Sequence, residues 1–64
     1  MKLYNLVDTK TNDPVFGLER VPETNALFLN LKETEGKNWR NLNVGESTCV
    51  KDKTGLIYRM VCVE

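Results

Sequence analysis

Apolar residues along this chain fall into short runs separated by Gly, Pro, Asn and Asp, and a helical repeat is hard to find. That spacing predicts an all-β domain. The first predicted strand runs from Lys2 to Val7, with Tyr4 and Leu6 on one face and Leu3, Asn5 and Val7 on the other. A polar turn follows over Asp8–Pro14, where Asx and Thr side chains can bond the local backbone. The second predicted strand, Val15–Val21, carries Gly17 inside it, a mark of a bulge or a bend. Pro22 fits the second position of a turn over Val21–Asn25. Ala26–Leu31 is the third strand: Leu also favours helix, but the run is short and flanked by turn residues, so it is assigned to a hairpin over 15–31.

Lys32–Asn41 is polar and Gly-containing and reads as a long loop. Trp39–Leu42 at its end is either a short strand or one helical turn capped by Asn38. After a turn at Asn43–Glu46 the pattern returns to strands, Ser47–Lys51 and Leu56–Val63, joined at Asp52–Gly55. Gly55 is placed to supply the positive φ of a type I turn with a bulge. Pairing Lys51 with Leu56 sets Cys49 opposite Tyr58 and leaves Cys62 roughly 13 Å further along the strand, beyond disulfide reach. Both thiols are therefore expected to be free. The last strand is apolar on both faces apart from Arg59, which points either to strong twist in a small barrel or to self-association as a homodimer or higher homo-oligomer.

Five short strands around a long central loop predict a small all-β domain, a five-stranded antiparallel, partly open barrel of the SH3-like or OB-like kind, with room for one short helical turn. The stretch Leu42–Glu46 is similar to turns in SH3-like barrels, a fragment too short to name a family. Sixty-four residues make one domain, 1–64. The initial Met and the strand-like end read as a complete small gene product.

Composition narrows the function classes. Nine basic residues balance nine acidic ones, so a general coating of duplex nucleic acid or a polybasic membrane anchor is not expected. No apolar run approaches the ~20 residues of a membrane span. No secretory leader is visible at the N-terminus, and two cysteines are few for so small a secreted domain, so a cytoplasmic location is expected. Histidine is absent, which removes histidine-based catalysis and leaves no closed zinc set.

The remaining chemistry is sparse. Glu33 and Glu35 could share a face of an extended segment, but nothing apolar surrounds them to shift either carboxyl, and a solvated loop is the expected reading. Cys49, Cys62 and Ser47 lack the partners of an activated nucleophile, and the four glycines form no phosphate loop. No enzyme, metal or cofactor is expected. The candidate binding residues are the basic and aromatic ones: Lys37, Trp39 and Arg40 in the long loop, and Lys51, Lys53, Tyr58 and Arg59 in the last hairpin. Trp39 has two readings, a plug for the barrel end or a contact residue.

The expected function is a non-catalytic binding protein acting on a macromolecular partner, a protein in the first place, as an inhibitor or adaptor. The alternative is single-stranded nucleic acid held on the basic and aromatic surface. A second alternative is a homo-oligomer that sequesters a small nucleotide.

Overall fold

The computed structural model describes residues 1–64. Five strands make one antiparallel sheet: β1 (Leu3–Asp8), β2 (Val21–Pro22), β3 (Lys32–Glu33), β4 (Ser47–Lys51) and β5 (Ile57–Cys62). Their order across the sheet is β2-β1-β5-β4-β3, curled into a half-barrel whose edges β2 and β3 do not pair. The short helix α1 (Glu23–Leu27) and a 3-10 turn at Trp39–Asn41 complete the fold. It is the small, partly open, all-β barrel the turn spacing predicts.

Strand alternation builds the core. Leu6 stands opposite Met60, and Met60 opposite Thr48, so one inward row crosses β1, β5 and β4. Tyr4 opposite Cys62 makes a second row, and Val50 opposite Tyr58 a third. Tyr4, Leu6, Thr48, Val50, Met60 and Cys62 are all buried. The open side is covered by Ala26 of α1, by Leu31, and by Trp39 and Leu42 around the 3-10 turn. Each inward side chain is thus removed from water by an element distant in sequence, which drives the collapse.

The structure departs from the predicted strands in the middle of the chain and in the register of the last hairpin. Val15–Val21 is not a continuous strand. Val15 N–H donates to the Leu6 carbonyl and Leu6 N–H donates to the Leu18 carbonyl, so the intervening residues leave the ladder as a turn. Gly17, at φ 81°, makes that turn, as its position inside an apolar run suggested. Only Val21 and Pro22 remain as a strand.

Ala26–Leu31 is not a strand either, so there is no hairpin over 15–31. Pro22 serves as the N-cap of α1, needing no N–H, and Glu23 adds an acidic residue to the first turn. The Glu23 N–H is satisfied by the Lys2 carbonyl. Asn30 ends the segment in the left-handed region at φ 53°. Ala26 and Leu31 turn inward, while Phe28 is left in solvent. The fifth strand is instead Lys32–Glu33, which the polar sequence disguised as loop.

The last hairpin is where it was expected, but its register is shifted by one. Lys51 pairs with Ile57, Cys49 with Arg59 and Ser47 with Val61. Gly55 N–H donates to the Asp52 carbonyl, and Asp52 N–H to the Leu56 carbonyl, with Gly55 at φ 95°. This is a type I turn closed by a bulge, and the bulge inserts the extra residue that moves the pairing. Both cysteines are free, Cys62 in the core and Cys49 half-buried.

Candidate functional site

Outward positions of the sheet carry much of the chain's unpaired positive charge. Lys32 on edge strand β3 stands directly opposite Lys51 on β4. Residues opposite one another share a face, so both ammonium groups leave the same side of the sheet. Arg59 lies on that face too, opposite Cys49 and one diagonal step from Lys51. Lys53 follows in the hairpin turn. Asn30, Lys32, Lys51, Asp52 and Lys53 line an open hollow of about 470 Å³ that contains no hydrophobic residue.

The one carboxylate in that hollow is occupied elsewhere. Asp52 Oδ1 accepts from the N–H groups of Thr54 and Leu56 and from the Thr54 hydroxyl, and Oδ2 accepts from the Tyr58 hydroxyl. These bonds, the Thr54 hydroxyl first, hold its pKa below the usual carboxylate range. The chain's ion pairs lie elsewhere: Arg20 with Glu64, Lys37 with Glu46 at 3.1 Å, and Arg40 with Glu23 at 3.6 Å. Lys32, Lys51 and Lys53 have no acidic partner.

The seven candidate residues therefore divide. Lys51, Lys53 and Arg59 come together, and Lys32, not singled out from the sequence, joins them. Lys37 and Arg40 are exposed but ion-paired. Trp39 is 4% exposed and packs edge-to-face on Tyr4, with ring centroids 5.3 Å apart. It is the plug, and its ring is not a surface platform. The 3-10 turn that carries it is capped by Asn38, whose side chain accepts from the Arg40 N–H, the cap the sequence suggested. Glu33 accepts from the Trp39 N–H at 3.2 Å, so this carboxylate has a structural partner. Tyr58 is half-buried on the inner face, and burial first, then the bond to Asp52, raises its pKa.

A second feature lies at the other edge. An open groove of about 520 Å³ runs between the turn after β1 and helix α1, with Leu18, Val21, Phe28 and Leu29 among its walls. Phe28 is 83% exposed, and Phe16, next to wall residue Gly17, is 98% exposed. Sequence reasoning missed both because it put them on strands, where alternation would have packed them. The groove wall is braced: Arg20 N–H donates to the Asn5 side chain at 2.8 Å, and its guanidinium pairs with Glu64.

Nucleophilic chemistry is not set up at the thiols. The nearby Glu35 carboxylate, then burial, pushes the Cys49 thiol up, away from the thiolate. No group of three or more His, Cys, Asp or Glu side chains converges as metal ligands. No helix is long and apolar enough to cross a membrane. No protein-family model, curated protein or solved structure matches this chain.

Proposed function

We propose that this protein is a non-catalytic binding module whose partner is another protein, engaged through the groove bounded by Phe28 and Leu18. The observation that carries this reading is the exposed Phe28 in the wall of an open groove, with a second exposed phenylalanine, Phe16, adjoining the wall residue Gly17 along the chain, while the other aromatic rings lie at least partly inside. Water-exposed aromatic rings on a braced scaffold are the anchors that dominate protein interfaces, and large apolar side chains left in solvent are costly unless something covers them. The sheet edges add a second means of engagement, although both edge strands are only two residues long, which limits strand addition.

The test is quantitative affinity capture from host lysate with wild type and the double variant Phe16→Ser/Phe28→Ser, alongside sedimentation of the purified protein. A partner retained by wild type and lost by a double variant that still folds supports the reading. Self-association that the double variant abolishes identifies the partner as a second copy, the homo-oligomer reading. Equal capture by both proteins, with no change in sedimentation, overturns it.

A further inference from the structure

We infer that the hollow formed by Lys32, Lys51, Lys53 and Asn30 is an anion site for phosphoryl groups, distinct from the apolar groove at the opposite edge of the sheet. Like charges directly opposite on neighbouring strands repel, and a cross-strand Lys–Lys pair destabilises the ladder that contains it. Here the pair Lys32–Lys51 is one of the two register positions that join β4 to β3, a strand of only two residues. Nearby charge could relieve the repulsion, but the only carboxylate in the hollow, Asp52, is bonded to Thr54, Leu56 and Tyr58. Lys53 adds a third cation to the same walls. Arg59 is a fourth on the same face, but there the Glu35 carboxylate lies close to Cys49, opposite Arg59, so the uncompensated charge is that of the three lysines.

The chain is neutral overall, so this accumulation is a matter of placement. Three of its nine basic residues are ion-paired, and Lys2 donates to the carbonyls of Arg40 and Leu42. A multivalent anion seated between Lys32, Lys51 and Lys53 would turn the repulsion into three charge-assisted hydrogen bonds. The Asn30 amide supplies a further donor at the rim. The volume, about 470 Å³ and open to solvent, suits a chain of phosphates crossing the surface. The lack of any apolar or aromatic wall means that the phosphates are read and a base is not. The shared chemistry is phosphoryl, whether from a free polyphosphate or the backbone of a single strand of nucleic acid.

The experiment uses the isotopically labelled full chain, titrated separately with tripolyphosphate and with a short oligothymidylate, against sodium chloride at matched ionic strength. Amide shifts should concentrate at 30–32 and 51–53. In Lys32→Gln/Lys51→Gln, affinity should fall about tenfold or more. Without an anion, the same variant should melt above wild type because the repulsion is gone, and saturating ligand should narrow or reverse that order. Binding of tripolyphosphate alone assigns the site to a small phosphorylated ligand. Binding of both, or of the oligonucleotide alone, with a steep loss as salt rises, assigns it to a phosphodiester backbone. Shifts spread evenly over all lysines, reproduction of the effect by matched chloride, or unchanged affinity in the variant would overturn the site.

Discussion

Tyr4 and Trp39 meet edge to face, their ring planes 87° apart, and this contact joins strand β1 to the 3-10 turn that closes the half-barrel. Such a pair contributes beyond its buried area because the positive edge of one ring meets the negative face of the other. With only ten buried hydrophobic residues in the core, Trp39 is its largest single filler. Trp39→Ala is expected to cost about 3–5 kcal/mol, enough to unfold most of the population of so small a domain. Trp39→Phe should retain a measurable folded state. Urea unfolding of both variants checks this, and a Trp39→Ala protein with wild-type stability would move the ring to a surface role.

The same tyrosine carries an uncompensated group. Its hydroxyl is buried and has no hydrogen-bond partner. Burial, followed by the charges of Glu23 and Cys62 and opposed by Arg40, pushes its pKa up to about 12. The folded state thus binds the phenolic proton more tightly than the unfolded chain does. The associated stability is complete below about pH 10 and is lost as pH rises towards 12. Tyr4→Phe should remove that alkaline loss and raise stability at neutral pH by about 1 kcal/mol, because a desolvated hydroxyl disappears. Thermal melts from pH 7 to 11 would show it; a destabilised Tyr4→Phe protein would mean that the hydroxyl has a partner.

The β4–β5 hairpin depends on Gly55 and Asp52 in different ways. A Cβ at Gly55 would meet open space, so its replacement is strained only by the φ of 95°. Gly55→Ala should cost about 1–2 kcal/mol, and Gly55→Asn less. Asp52 is a charge effect. Its folded pKa is depressed, so its contribution is present above the unfolded carboxylate value and fades as pH falls through the folded one. Asp52→Asn should lower the melting temperature at neutral pH and flatten the acid side of the stability profile. A Gly55→Ala variant as stable as wild type would refute the bulged turn.

The centre of the sheet was legible in the sequence, and its edges were not. Strands β1, β4 and β5 are long enough for a period of two to show, although β1 and β5 carry apolar residues on both faces. Tyr4 and Leu6 were assigned to the same face for that reason. A two-residue strand such as Lys32–Glu33 gives no alternation to read, and only the distant partner Lys51 defines it. Length could not separate helix from strand at Ala26–Leu31, since α1 has only five residues. The shifted hairpin register follows from counting the bulge at Gly55, whose turn type the sequence did announce. The basic set at Lys51, Lys53 and Arg59 was visible as neighbours in one hairpin. Its completion by Lys32, and the exposure of Phe16 and Phe28, depend on tertiary placement that no local pattern encodes.

Lys2 ties the N-terminus to the far side of the barrel. Its ammonium donates to the Arg40 carbonyl at 2.9 Å and to the Leu42 carbonyl at 2.8 Å. These carbonyls lie at the C-terminal end of the 3-10 turn, where the aligned backbone dipoles favour a cation. The contact anchors the turn that holds Trp39 against Tyr4. Lys2→Met keeps the apolar stem and removes the charge, so any loss belongs to the two hydrogen bonds. About 1–2 kcal/mol is expected. Hydrogen exchange gives the sharper readout. The amides of Asn41 and Leu42, bonded to the carbonyls of Asn38 and Trp39, should exchange faster in Lys2→Met. Those at the centre of β4 and β5 should change only by the global loss of stability. Uniform acceleration across the chain would instead mean that the turn and the sheet open together, and that Lys2 stabilises the whole domain with no local effect on the turn.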